Sequence, residues 1–105
     1  MKDSFPSICI PHTVNDISKN MINSIFNKLL TVNCIDRIDI ITKYNSQNDL
    51  LYKTIFVHLT KWPQTDEAQK IRQKLIHGSH INIVYKYSLF LPCYASRSKK
   101  PNFIR

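Results

Sequence analysis

Hydrophobic and polar positions along this chain switch repeatedly between a two-residue and a helical period. In "SICIP", residues 7–11, Ile8 and Ile10 fall on one side and Ser7 and Cys9 on the other, a short strand that Pro11 should end. "TVNDISKNMINSIFNKLL" follows with Ile17, Met21, Ile25 and Leu29 at helical spacing, Ile22 and Phe26 widening the stripe, and Thr13 or Asn15 as cap. "CIDRIDIITKY", 34–44, returns to alternation with Ile38 and Ile40 inward, and "NSQND", 45–49, is a polar turn. The next strand, "YKTIFVHLTKW", places Ile55, Val57 and Leu59 on one face and Thr54, Phe56 and His58 on the other. A second helix is expected after Thr65, with Asp66 and Glu67 in its first turn and Ala68, Ile71 and Leu75 as its stripe. Gly78, the only glycine, should close that helix with a positive φ. "INIVYKY", 81–87, reads as a fourth strand, and Pro92 with "SRSKKP" marks a C-terminal extension.

The order β-α-β-β-α-β is the split βαβ arrangement, so the expected class is α+β and ferredoxin-like. Two right-handed crossovers would put both helices on one face of a four-stranded antiparallel sheet and leave the other face open. On that open face the alternation places Cys9, Arg37, Asp39, Ile41, Lys43, Thr54, Phe56, His58, Asn82, Val84 and Lys86. Trp62, beside Pro63, is expected to anchor the turn from the third strand into the second helix.

At 105 residues and 43% hydrophobic, the chain suits one compact core. No apolar run is long enough for a membrane helix, and Met1-Lys2-Asp3-Ser4 does not open a signal peptide, so a soluble intracellular protein without a membrane role is expected. Cys9, Cys34 and Cys93, odd in number and widely spaced, read as reduced thiols.

Charge changes the picture more. The 15 basic and 7 acidic residues give a net +8, and every acid lies at or before Glu67. The excess therefore falls on Lys70, Arg72, Lys74, Lys86, Arg97, Lys99, Lys100 and Arg105, a cationic end suited to a polyanion.

Catalytic chemistry finds little footing in the pattern. Cys9-x-x-His12 and His77-x-x-His80 lack the paired spacing of a closed zinc site. Asp36 and Asp39, three apart on a strand, should point to opposite faces, each pairing with a neighbour such as Arg37 or Lys43 or meeting water. His58 has no evident nucleophile to activate, and one glycine cannot build a phosphate loop. The expectation is a protein that is not an enzyme and uses no cofactor or metal.

The element order resembles the RNA recognition motif (RRM) over residues 7–87. Ile8, Cys9 and Ile10 fall on that family's first-strand signature, with cysteine at the stacking position. Phe56, Val57, His58 and Leu59 fall on the end of its third-strand signature, with Thr54 at the other stacking position and Tyr52 where Lys or Arg is usual. Over nearly the whole chain, "RIDII", "YKTIFVHLTKW", "AQKIRQKL", "INIVY" and "ASRSKKP" look like a small RRM-like protein family of nucleocytoplasmic large DNA viruses. That likeness implies a fold and a setting, the cytoplasm of an infected host cell or the virion, and carries no activity over. It departs at Leu89 and Leu91, where tryptophans would be expected.

Residues 1–95 are thus expected to form a single RRM-like domain, and 96–105 a basic tail. The expected function is non-catalytic binding of single-stranded RNA or DNA, with RNA favoured, through Phe56, Arg37, Lys43, Lys53, His58 and Lys86 on the sheet and Arg97, Lys99 and Lys100 in the tail. The alternative is a protein-interaction or self-association module, giving a protein partner or homodimer. It would use the open face, with Ile41, Phe56 and Val84, or the hydrophobic segment 89–94; that segment would otherwise fold back over Phe56.

Overall fold

The computed structural model describes residues 3–13, 17–30, 33–86 and 89–96, with the side chains of Tyr85, Lys86 and Leu89 left aside. The elements are β1 (Ile8–Thr13), α1 (Lys19–Leu30), β2 (Ile35–Tyr44), β3 (Leu50–Leu59), α2 (Asp66–Ile76), β4 (Ile81–Lys86) and β5 (Leu89–Ala95). They form an α+β structure, a five-stranded antiparallel sheet of order β2-β3-β1-β5-β4 with two helices.

The sheet corrects the expectation of four strands. The segment placed in a C-terminal extension is β5, and it, rather than β4, lies beside β1 through Ile8↔Ala95 and Cys9↔Tyr94. β4 becomes the edge, paired to β5 through Ile81↔Cys93 and Val84↔Phe90. Segment 89–94 therefore extends the sheet in its own plane and does not fold back over Phe56. The reason is packing: Leu91 and Cys93 alternate into the core, at 4% and 0% exposure, and only a strand continuous with β1 delivers both there.

Two element boundaries also move. Pro11 does not end β1; the strand runs on to Thr13 across a register shift between Ile10 and Thr13. Proline has no N–H to give a ladder, and the irregularity absorbs that loss while Thr54 Oγ1 donates to the Pro11 carbonyl at 2.8 Å. With Thr13 in the strand, α1 is capped by Ser18, whose Oγ accepts from Met21 N–H at 3.2 Å. Asn15 lies outside the described residues. The α1 side chains buried deepest are Ile22, Phe26 and Leu30, with Ile25 and Leu29 packed at the margin.

The second helix follows its sequence signals closely. Thr65 Oγ1 accepts from Ala68 N–H at 3.3 Å, and Asp66 and Glu67 sit in the first turn, where the helix dipole favours them. At the other end Ser79 N–H reaches the Lys74 carbonyl at 2.9 Å and Gly78 N–H reaches Leu75 at 3.1 Å. That double bond pattern requires the left-handed residue between them, and Gly78 supplies it with φ of +87°. The β2–β3 turn has its own local logic: Asn45 Oδ1 accepts from Gln47 and Asp49 N–H, both at 2.9 Å, and Asn48 takes φ of +66°.

Both helices contribute to one apolar cluster with Ile8, Ile10, Ile38, Ile55, Val57 and Leu59 from the sheet. Trp62 anchors one end of it as expected, fully buried, with Nε1 donating to the Pro6 carbonyl at 3.1 Å. Arg72, buried on α2, donates from Nε to the Phe5 carbonyl at 2.8 Å, so residues 3–7 are tied down before β1 begins.

If β5 is integral to the core, Leu91→Ala should destabilise the protein by about 2–5 kcal/mol in urea denaturation. A change within roughly 0.5 kcal/mol, the range of an exposed site, would place residue 91 in a peripheral tail instead.

Candidate functional site

The apolar cluster that takes residues from both helices lies on the Ile8, Ile55 and Val57 side of the sheet, and the opposite face is defined by register. Asp39 on β2, Phe56 on β3, Cys9 on β1 and Tyr94 on β5 stand opposite one another in a single row across four strands. Phe56 and Tyr94 are two strand spacings apart, about 10 Å, with the small half-buried Cys9 between them. Towards the β2–β3 turn the face continues with Ile41 opposite Thr54 and, across the sheet, Phe90 opposite Val84. Ile41, Val84 and Phe90 are exposed at 56%, 57% and 58%. Two histidines lean on its aromatics, His80 on Tyr94 with centroids 5.4 Å apart and His12 on Tyr52 at 4.4 Å.

The neighbouring row is polar and closed. His58, expected as a nucleic-acid contact on the open face, is only 2% exposed. Its Nδ1 lies 2.7 Å from Ser7 Oγ and its Nε2 lies 3.1 Å from Asp39 Oδ2. A carboxylate only accepts, so the Nε2 nitrogen carries the proton; in neutral imidazole Nδ1 is then the acceptor for the Ser7 hydroxyl. The same Asp39 oxygen receives Arg37 Nε at 3.2 Å and Arg37 Nη2 at 3.0 Å. Phe56 lies parallel to the His58 ring, centroids 6.5 Å apart and planes 9° apart.

Ser7, His58 and Asp39 contain the residue types of a nucleophile, base and acid relay, a gathering that spacing along the chain did not indicate. Here the imidazole is sealed from solvent and Ser7 is itself only 9% exposed. The chain of bonds locks strands β1, β2 and β3 in register and stiffens Asp39 and Arg37 beside Phe56.

Among the other residues singled out in the sequence, Arg37 and Lys43 lie on the open face, Lys43 exposed and Arg37 paired to Asp39. Lys53 does not. It shares the parity of Ile55 and Val57, opposite Thr42 and Thr13, on the face away from Phe56, because a strand's side chains alternate with no exception unless a bulge intervenes. The side chain of Lys86, and Arg97, Lys99 and Lys100, lie outside the described residues. His12, His77 and His80 are exposed, and among the described residues no three His, Cys, Asp or Glu side chains gather as a metal site. No helix among the described residues is long and apolar enough to cross a membrane.

Sequence reasoning did not place Tyr94 and Phe90 in the sheet beside Phe56, having them in a segment 89–94 that docks a partner or folds back over it, and it gave Ser7 no partner. The first two were legible in the alternation of Phe90, Pro92 and Tyr94 against Leu91, Cys93 and Ala95, which the proline masked as a break. No local signal pairs Ser7 with His58, because 51 residues separate them.

Burial raises the thiols of Cys9, Cys34 and Cys93, the last to about 12, where Cys9 also adds repulsion. Comparisons with protein-family models, with curated proteins and with solved structures returned no match to this chain.

Two outcomes follow from this geometry. His58→Ala, which strips the Ser7 hydroxyl of its acceptor, should cost about 2–4 kcal/mol in urea denaturation, and an exposed histidine would cost almost nothing. In native protein at neutral pH a thiol reagent should modify Cys9 first and slowly, with Cys34 and Cys93 reacting only once the chain is unfolded; equal native rates for all three would contradict the burial.

Proposed function

We propose that this chain is an RRM-like module, extended by a fifth strand, that binds single-stranded nucleic acid, RNA in preference, without catalysis. The observation that supports it best is the row Phe56, Cys9, Tyr94. An RRM-like sheet that lacks an aromatic on β1 regains one on β5, so two aromatics flank a small residue on a sheet face that no described element covers. Base stacking on such faces is tolerant of sequence and contributes about 1–3 kcal/mol per base. Lys43 lies on the same face, and the net charge of +8 supplies the phosphate attraction that stacking alone lacks. β5 ends at Ala95, and Ser96 N–H bonds the Ser7 carbonyl at 2.7 Å, so the basic tail begins next to the Ser7–His58 row.

A second reading has its own support. Ile41, Val84 and Phe90 are apolar and more than half exposed on this same face, which suits a protein partner or a second copy of the chain.

Fluorescence anisotropy with labelled single-stranded RNA and DNA separates them. Phe56→Ala and Tyr94→Ala should each weaken binding roughly five- to a hundredfold at fixed salt with the fold intact. Truncation after Ser96 should instead flatten the salt dependence. If only the truncation matters, the tail is a non-specific cation and the sheet belongs to a protein; a concentration-dependent mass in light scattering would then identify self-association.

A further inference from the structure

We infer that Asp39 reads the edge of the nucleobase stacked on Phe56 and selects bases that present N–H donors, guanine first. The inference rests on the nucleic-acid reading above and adds base selectivity to it.

A carboxylate is an odd occupant of a face offered to a polyanion, because it repels phosphate. Its surroundings give it another use. Asp39 is the cross-strand partner of Phe56, which puts its Cβ about 5 Å from that of the aromatic, and its side chain is 30% exposed. Arg37 cancels its charge towards the backbone of a ligand. Oδ2 takes all three hydrogen bonds, from Arg37 Nε, Arg37 Nη2 and His58 Nε2, and among the described residues Oδ1 takes none. The result is an acceptor fixed in place beside a stacking surface, its ordering entropy already spent in folding.

Nucleobases differ in what they offer such an acceptor. Guanine presents N1–H and the 2-amino group side by side. Adenine and cytosine present one amino group next to a ring acceptor, and uracil presents a single N–H between two carbonyls that a carboxylate repels. A site built to hydrogen-bond an N–H discriminates against a base that cannot supply it, because the polar group loses water and gains nothing.

The clamp also dictates what happens when the acceptor is altered. Arg37 and His58 are donors on the Oδ2 side, so in Asp39→Asn the amide oxygen takes that side and the NH2 group occupies the place of Oδ1. An acceptor becomes a donor without a change of shape. Base preference should then invert towards uracil.

The test uses the full chain and labelled uridine-rich RNA hexamers with one central residue changed among guanine, inosine, adenine, cytosine and uracil. Wild type should favour guanine over uracil by about tenfold, with inosine, which lacks the 2-amino group, in between. Asp39→Asn, checked for native circular dichroism, should reverse that order, and Phe56→Ala should level it. Equal affinities across the wild-type series with Phe56 still required would overturn the inference alone, as would an Asp39→Asn variant that keeps the guanine preference. If Asp39→Asn does not fold, the wild-type guanine, inosine and uracil series decides by itself. Failure of every hexamer to bind would remove the nucleic-acid reading, and this inference with it.

Discussion

The rest of the structure depends on the pairing of β5 with β1. Two residue pairs, Ile8↔Ala95 and Cys9↔Tyr94, together with the Ser96 to Ser7 backbone bond, are enough to set it. They carry Leu91 and Cys93 into the core, push β4 to the edge and align Tyr94 with Phe56. Pro11 keeps the contact short. It gives β1 no donor where a longer ladder would continue, and so β5 leaves β1 after Cys9 and its remaining pairs are with β4.

The open face that results has two regions of different physics. One is a polar row in which the buried His58 and Ser7 bond each other and His58 bonds the part-exposed Asp39 beside Arg37; an unpaired buried member would cost about 1–3 kcal/mol. The other is an apolar surface of Phe56, Tyr94, Phe90, Ile41 and Val84 that no described element covers. The polar row gives the apolar one its rigidity, since Phe56 lies parallel to the His58 ring and opposite the carboxylate that His58 holds. A rigid aromatic beside a fixed acceptor loses less freedom on binding than a mobile pair would.

Charge sits beside this surface more than on it. Arg37 is balanced by Asp39, Lys53 faces the opposite way, and Lys43 lies on the β2 edge strand. In the proposed nucleic-acid reading, electrostatic attraction to the polyanion would therefore come from around the face and from the basic C-terminal region, while discrimination would come from the face itself. That division matches general practice, in which phosphate contacts position and base contacts specify.

Much of this was settled locally and is legible in the residues alone. Thr65 and Gly78 delimit α2, Asn45 and Asn48 shape the hairpin turn, and the alternation in β3 separates Ile55 and Val57 from Phe56, because each follows from bonds or parity within a few residues. The α+β class and an open face carrying Phe56, Arg37 and Asp39 follow from the same periodicities. What periodicity does not contain is which strands become neighbours. The place of β5 beside β1, the burial of His58 against Ser7, the turning of Lys53 away from the face and the alignment of Tyr94 with Phe56 all join residues distant in the chain. Those were decided by the tertiary structure, where burying Leu91 and Cys93 and pairing His58 with both Ser7 and Asp39 selected a single arrangement of strands that local pattern left open.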